Sequence, residues 1–209
     1  MSKYRYRTLR REVRAIFTIK GSRFIGSAAP AAGEEAVRTF IERVRNEFPD
    51  ATHHAYAYRV REGRGLVERA HDAREPAGTA GLPMLQLLQG RQLTDLVVVG
   101  TRYFGGTKLG VGGLTRAYRR CARDSIEQGE LVVRERLCYC RLTVSYEEIG
   151  ALLRQLESLQ GRIIGTDYAA VVTVTVALPY RAVETARKRL DEISRGSGRW
   201  ELLEAPPGS

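Results

Sequence analysis

Cysteine is scarce in this 209-residue chain: there are three, Cys121, Cys138 and Cys140. They offer neither an even set for a disulfide framework nor a Cys-x-x-Cys pair, which fits reduced thiols. Cys138 and Cys140 stand two apart in a strand-like run and share a face, but no second pair completes a tetrahedral metal set, so they read as small strand residues. No apolar run approaches the roughly 18 residues of a membrane-spanning helix. The first residues, Met1 to Arg7, are basic but lack the apolar stretch of an export signal, so the expected location is the cytoplasm. No internal repeat is evident, and neither a cofactor nor a metal is expected.

Arginine, by contrast, is abundant. Of 34 basic residues only four are lysine, and the net charge is +10. Residues 1–136 hold 25 Lys and Arg against 15 Asp and Glu, whereas residues 137–209 hold 9 against 9. The excess therefore belongs to the first part, which suggests a polyanionic partner there and a separate task for the remainder. A hydrophobic content of 43% with 28% charged residues is that of a soluble globular protein, long enough for one large domain or two small ones.

The pattern changes after Gly129. Before it, Tyr4–Arg10 and Val13–Ile19 read as strands of one sheet, Gly33–Phe48 as a helix stopped by Pro49, Thr52–Val60 as an alternating strand, and Pro83–Leu88 as a short helix. After it, strands at 137–146, 162–168, 171–178 and 200–203 alternate with helices at 147–160 and 181–194. This βαββαβ order is the ferredoxin-like arrangement. Two domains are expected, 1–130 and 137–209, with the boundary between Gln128 and Leu137 and a mobile tail at Pro206–Ser209.

The first part is organised around residues 95–118. Leu96–Val99 is a β-branched run suited to a strand covered on both faces. Six glycines lie between Gly100 and Gly113. In the helix that follows, Leu114, Ala117, Tyr118, Cys121, Ala122 and Ser125 form one stripe at helical spacing. Arg116, Arg119, Arg120 and Arg123 fall on the opposite side as a basic ridge. A nucleotide-hydrolase loop is excluded because Gly106-Thr107 stands where Lys-Ser/Thr is required, and Thr115 occupies the third glycine position of a dinucleotide fingerprint. A less specific anion site remains, made of Arg102, Lys108 and the backbone around Gly105, Gly106, Gly110, Gly112 and Gly113 at a helix N-terminus. Tight packing of loop on sheet is the structural alternative.

His53 and His54 are adjacent in a strand, so they point to opposite faces and cannot share one metal ion without a bulge. Residues Gly63–Gly81 read as a long surface loop holding His71, Asp72, Arg74 and Glu75. An acid–base role for Asp72 or Glu75 is conceivable there, but no nucleophile or metal cluster accompanies them, so no catalytic residue is assigned.

Three ordered motifs, Pro49-Asp-Ala-Thr-His-His54, Glu75-Pro-Ala-Gly-Thr-Ala-Gly81 and Thr101-Arg-Tyr-Phe-Gly-Gly-Thr-Lys-Leu-Gly-Val-Gly-Gly-Leu-Thr-Arg-Ala-Tyr118, resemble the signature of the YigZ/IMPACT family, in its two-domain bacterial branch. His53, His54, Asp72, Glu75, Pro76, Gly78 and Thr79 are the positions of the first two motifs and their approach that the resemblance singles out. The chain departs from the family pattern at His71-Asp72-Ala73-Arg74, usually Ser-Asp-Asp-Gly, and at Ala55, usually Cys. The resemblance implies an α+β protein: an N-terminal α/β domain of the ribosomal-protein-like, IMPACT N-terminal type, and a C-terminal module like one in elongation factor G. It also implies a translation regulator, since IMPACT relatives bind a large ribosome-associated activator of a stress kinase. Together with the charge, this gives a non-enzymatic protein that binds RNA, the ribosome or an acidic translation-associated partner. The alternative is an enzyme acting on a phosphorylated small molecule or nucleotide in the glycine-rich loop. The sequence leaves the oligomeric state open.

Overall fold

A computed structural model describes residues 4–62 and 65–203. The expectation of a mobile tail at Pro206–Ser209 falls outside them. The described residues divide into two compact units, Tyr6–Arg134 and Glu135 onward, with Tyr4 and Arg5 grouping with the second.

The first unit is a five-stranded antiparallel sheet of order β2-β3-β6-β4-β5, made of β2 (Val13–Ile19), β3 (Ser22–Pro30), β4 (His53–Glu62), β5 (Gly65–His71) and β6 (Leu96–Tyr103). Successive side chains of the central strand β6 enter different cores, as a period of two requires. Leu96 and Val98 join α2 (Gly81–Gly90) and α3 (Gly110–Glu127), whereas Val97 and Val99 join α1 (Gly33–Glu47). All four are fully buried, each burial contributing about 1.5–3 kcal/mol. The stripe read on α3 is the buried one: Leu114, Ala117, Tyr118, Cys121, Ala122 and Ser125 face inward together with Ile126.

Small residues let α3 approach the sheet. Gly26 pairs with Gly100, and Gly100 with Ala55, giving a row without bulk across three strands. A Cβ on Gly26 would stand 2.4 Å from the Cys121 carbonyl oxygen, and one on Gly100 would stand 2.7 Å from the Tyr118 ring. Ala55 is fully buried in the α2–α3 core.

Two sequence expectations are corrected. The segment read as a surface loop from Gly63 contains the strand β5, whose residues are half-buried or exposed and so lack the alternation that marks a strand covered on one face. The strand β1 (Arg5–Leu9) does not join the β2 sheet; it pairs with β7 (Leu131–Glu135) in a separate two-stranded ladder.

The second unit has β8 (Leu137–Val144), α4 (Ile149–Ser158), β9 (Arg162–Tyr168), β10 (Val172–Pro179), α5 (Val183–Ser194) and β11 (Arg199–Leu203). Its sheet order, β11-β8-β10-β9 with antiparallel pairing throughout, is that of the ferredoxin-like arrangement. Cys140, Leu142, Val144, Val172, Val174 and Val176 pack against Leu152 and Leu156 of α4 and Ala186 and Leu190 of α5. Cys138 lies partly buried against that core and Cys140 is buried in it, where desolvation and the neighbouring Cys138 push the Cys140 thiol up to about 12. Both cysteines are thus packing residues.

Candidate functional site at the end of the central strand

The three motifs of the first unit converge where β6 ends. Arg102 stands in register with Phe24 on β3 and His53 on β4, and alternation sends all three toward the side of the sheet covered by α2 and α3. Arg102 is only 4% exposed and Glu75 only 8%. Buried ionised groups persist when paired and hydrogen-bonded, and this pair is. Arg102 Nη1 donates to Glu75 Oε1 at 2.8 Å and to Oε2 at 3.2 Å, and Nη2 donates to Ser22 Oγ at 3.3 Å. The Tyr118 hydroxyl donates to Glu75 Oε1 at 2.8 Å from the buried face of α3. Burial, followed by the adjacent Glu75 charge, pushes the Tyr118 phenol far above its ordinary range, so it remains a donor.

His53 borders this cluster. Its Nδ1 donates to the Ala73 carbonyl at 2.9 Å, leaving Nε2 3.8 Å from Glu75 Oε1, longer than a hydrogen bond. His54 faces the other side of the sheet: Nε2 donates to the Phe48 carbonyl and Nδ1 accepts from the Thr101 hydroxyl, each at 3.1 Å. Burial holds its pKa below the usual histidine value, consistent with this neutral arrangement. Both rings fasten loops to the strand.

Asp72 is committed as well. Its Oδ2 accepts from the Gly78 N–H at 2.8 Å, and Oδ1 accepts from Ala80 at 3.0 Å and Gly81 at 2.8 Å, so the carboxylate caps α2 from eight residues away. The turn is closed by Pro76, whose carbonyl accepts from the Thr79 hydroxyl at 2.7 Å. Glu75 is therefore not on a surface loop; the turn folds it inward onto Arg102. Acid–base readings of Asp72 and Glu75 meet carboxylates that each already accept three hydrogen bonds.

The glycine-rich loop, residues 104–109, departs from the strand end. Gly105 lies against β3, its N–H donating to Ser22 Oγ at 3.1 Å, and a Cβ there would stand 1.9 Å from the Gly21 carbonyl carbon. At Gly105 the packing alternative holds. Gly106 and Gly110 have φ of +85° and +71°, and a Cβ at either would meet nothing within 4 Å, so these two serve backbone conformation. Gly112 and Gly113 open α3: the nearest atom to a Cβ on Gly112 is Arg116 Nη1 at 3.3 Å, and on Gly113 it is Leu109 Cβ at 3.0 Å.

The basic residues sort into three kinds. Arg102 is corrected from a loop cation to a buried strand residue whose charge Glu75 meets. Arg120 and Arg123 are exposed but donate to Asp124, at 2.7 and 2.8 Å, and Arg120 also lies 4.2 Å over the Phe17 ring. Lys108, Arg116 and Arg119 are exposed and make no ion pair with any described residue.

Sequence reasoning missed Ser22 and the role of Tyr118. The signal for Tyr118 was its place in an apolar stripe, since a buried hydroxyl needs a partner. Phe104 was missed too: it is 46% exposed, with its N–H donating to Thr52 Oγ1 at 3.1 Å.

A two-domain α+β protein with a basic first domain whose motifs meet in a buried Arg–Glu–Tyr cluster is the class these features define. Residues 20–126 match the Impact N-terminal domain, and residues 142–197 match a domain of unknown function, DUF1949. The chain belongs to the IMPACT family. It is 37% identical over 186 residues to "IMPACT family member YigZ" of Escherichia coli (strain K12), covering 88% of this chain and 91% of that one. "Protein IMPACT-A" of Xenopus tropicalis is 31% identical over 111 residues, 51% of this chain and 34% of that protein. A crystal structure of a hypothetical protein, 35% identical, matches with a TM-score of 0.72 over 98% of each chain. IMPACT family proteins are known as translation-related regulators. Among the described residues no helix is long and apolar enough to cross a membrane.

Proposed function

We propose that this is a non-enzymatic, translation-associated protein whose first domain binds RNA, free or on the ribosome, through the exposed face of α3 and the loop before it. The observation that carries this reading is the set of unpaired cations, Lys108, Arg116 and Arg119, on a segment with no acidic residue between Leu96 and Arg123. Exposed cations without acidic partners are suited to phosphates, whereas mixed charges are the ordinary composition of a solvated face. The division of net charge supports the same partner. An enzyme acting on a phosphorylated small molecule finds less support, because Asp72 and Glu75 are spent on a helix cap and a buried ion pair. The test is co-sedimentation of the full chain with ribosomes, with and without ribonuclease treatment. Ribonuclease-sensitive co-sedimentation that Arg116→Glu with Arg119→Glu weakens is expected; equal association of wild type and double variant would contradict the reading.

A further inference from the structure

The surface next to these cations has an apolar component that phosphate binding does not use. Phe104 is 46% exposed at the strand end and Val111 is 66% exposed in the first turn of α3. A large ring is ordinarily placed inside, and this one is fixed outside. Its backbone is tied to Thr52, and beneath it the Arg102 guanidinium lies 5.3 Å from the ring centroid. Arg102 is itself buried and held by Glu75, while Phe104 beside it stays 46% exposed. Arg116 Nη1 lies 3.3 Å from where a Cβ on Gly112 would stand, in the first turn of α3, and Lys108 follows Phe104 in the loop before that turn.

We propose that Phe104 is a stacking platform for an unpaired base of single-stranded RNA, with Lys108 and Arg116 taking the adjacent phosphates. This rests on the functional reading above and narrows it. A duplex offers phosphates to the cations but keeps its bases stacked on one another, so it leaves the ring unused; a single strand satisfies both ring and cations. An acidic protein would satisfy the cations alone and has no general need of a planar partner on Phe104.

The experiment is fluorescence anisotropy of the full chain with two labelled RNAs, an oligouridylate of about 12 nucleotides and a blunt, fully paired duplex of about 12 base pairs. Phe104→Ala is expected to weaken oligouridylate binding by about 5- to 150-fold, the contribution of one stacked base, and to change duplex binding less than about twofold. Phe104→Trp keeps a stacking surface and is expected to bind the oligouridylate as tightly as wild type, which also guards against a folding effect. Unlabelled uridine monophosphate at equal base concentration is expected not to displace the oligomer. The platform is overturned if Phe104→Ala binds oligouridylate like wild type, loses both RNAs equally, or is not restored by tryptophan, or if the mononucleotide competes as well as the oligomer. Failure of the wild type to bind either RNA overturns the functional reading and this inference with it.

Discussion

Arg102 Nη1 lies 2.8 Å from Glu75 Oε1 inside the first domain, although 27 residues separate them in sequence. The pair joins the turn after β5 to the central strand, and Tyr118 joins α3 to the same carboxylate. Removing one partner leaves a buried charge, so Glu75→Ala or Arg102→Ala should each destabilise the chain by about 3–5 kcal/mol. Arg102→Met with Glu75→Leu removes both charges and should cost much less than the sum. Urea unfolding followed by circular dichroism checks this; additive losses in the double variant would deny the coupling.

The same turn holds backbone strain. Ala73 and Arg74 have φ of +50° and +69°, in the left-handed region that costs a non-glycine residue roughly 1–2 kcal/mol. Arg74→Gly should relieve that strain against about 0.4–1 kcal/mol of added unfolded-state entropy, a net gain of up to about 1.5 kcal/mol. Arg74→Val should lose stability. Thermal unfolding of both variants decides, and a lower midpoint for glycine than for arginine would contradict the account.

Asp72 makes the turn pH-sensitive. Burial acts to raise its pKa, but the Gly78, Gly81 and Ala80 donors, with His71 nearby, outweigh it and hold the carboxyl below its usual value. The folded state therefore binds fewer protons, so the stabilisation is complete above the unfolded value of about 3.9 and is lost as pH falls through the lower folded one. At neutral pH Asp72→Ala should cost about 0.5–2 kcal/mol, the range for losing a helix cap. Thermal unfolding below about pH 4 should fall more steeply for wild type than for the variant. Parallel curves would remove Asp72 from the acid response.

We propose that the two domains fold separately. The second unit has its own core, in which Val174 and Leu142 are fully buried, and residues 135–209 expressed alone should be soluble and unfold cooperatively. A fragment that stays unfolded where the full chain is folded would reject this.

Much of the fold was legible because burial imposes a period. The stripe on α3, the run at Leu96–Val99 and the βαββαβ order are written as local repeats. β5 was not legible because little of it is buried. The site was legible only as motifs. Nothing local indicates that Glu75 turns inward to meet Arg102, because the pairing is set by strand register and by the turn that Asp72 organises. Arg120 and Arg123 were grouped with Arg116 and Arg119 on helical position alone, whereas Asp124, one residue beyond Arg123, binds the first two.

The salt dependence of RNA binding tests the central claim most directly. Arg116 and Arg119 are exposed, so their replacement should leave the fold intact. If they hold phosphates, Arg116→Glu with Arg119→Glu should weaken binding to single-stranded RNA and reduce the slope of log K against log salt by about 0.7 for each phosphate no longer neutralised. Arg120→Glu with Arg123→Glu, which acts on arginines already paired with Asp124, should reduce it less. An unchanged slope in the Arg116/Arg119 variant would contradict the account and leave the ridge a solvated surface.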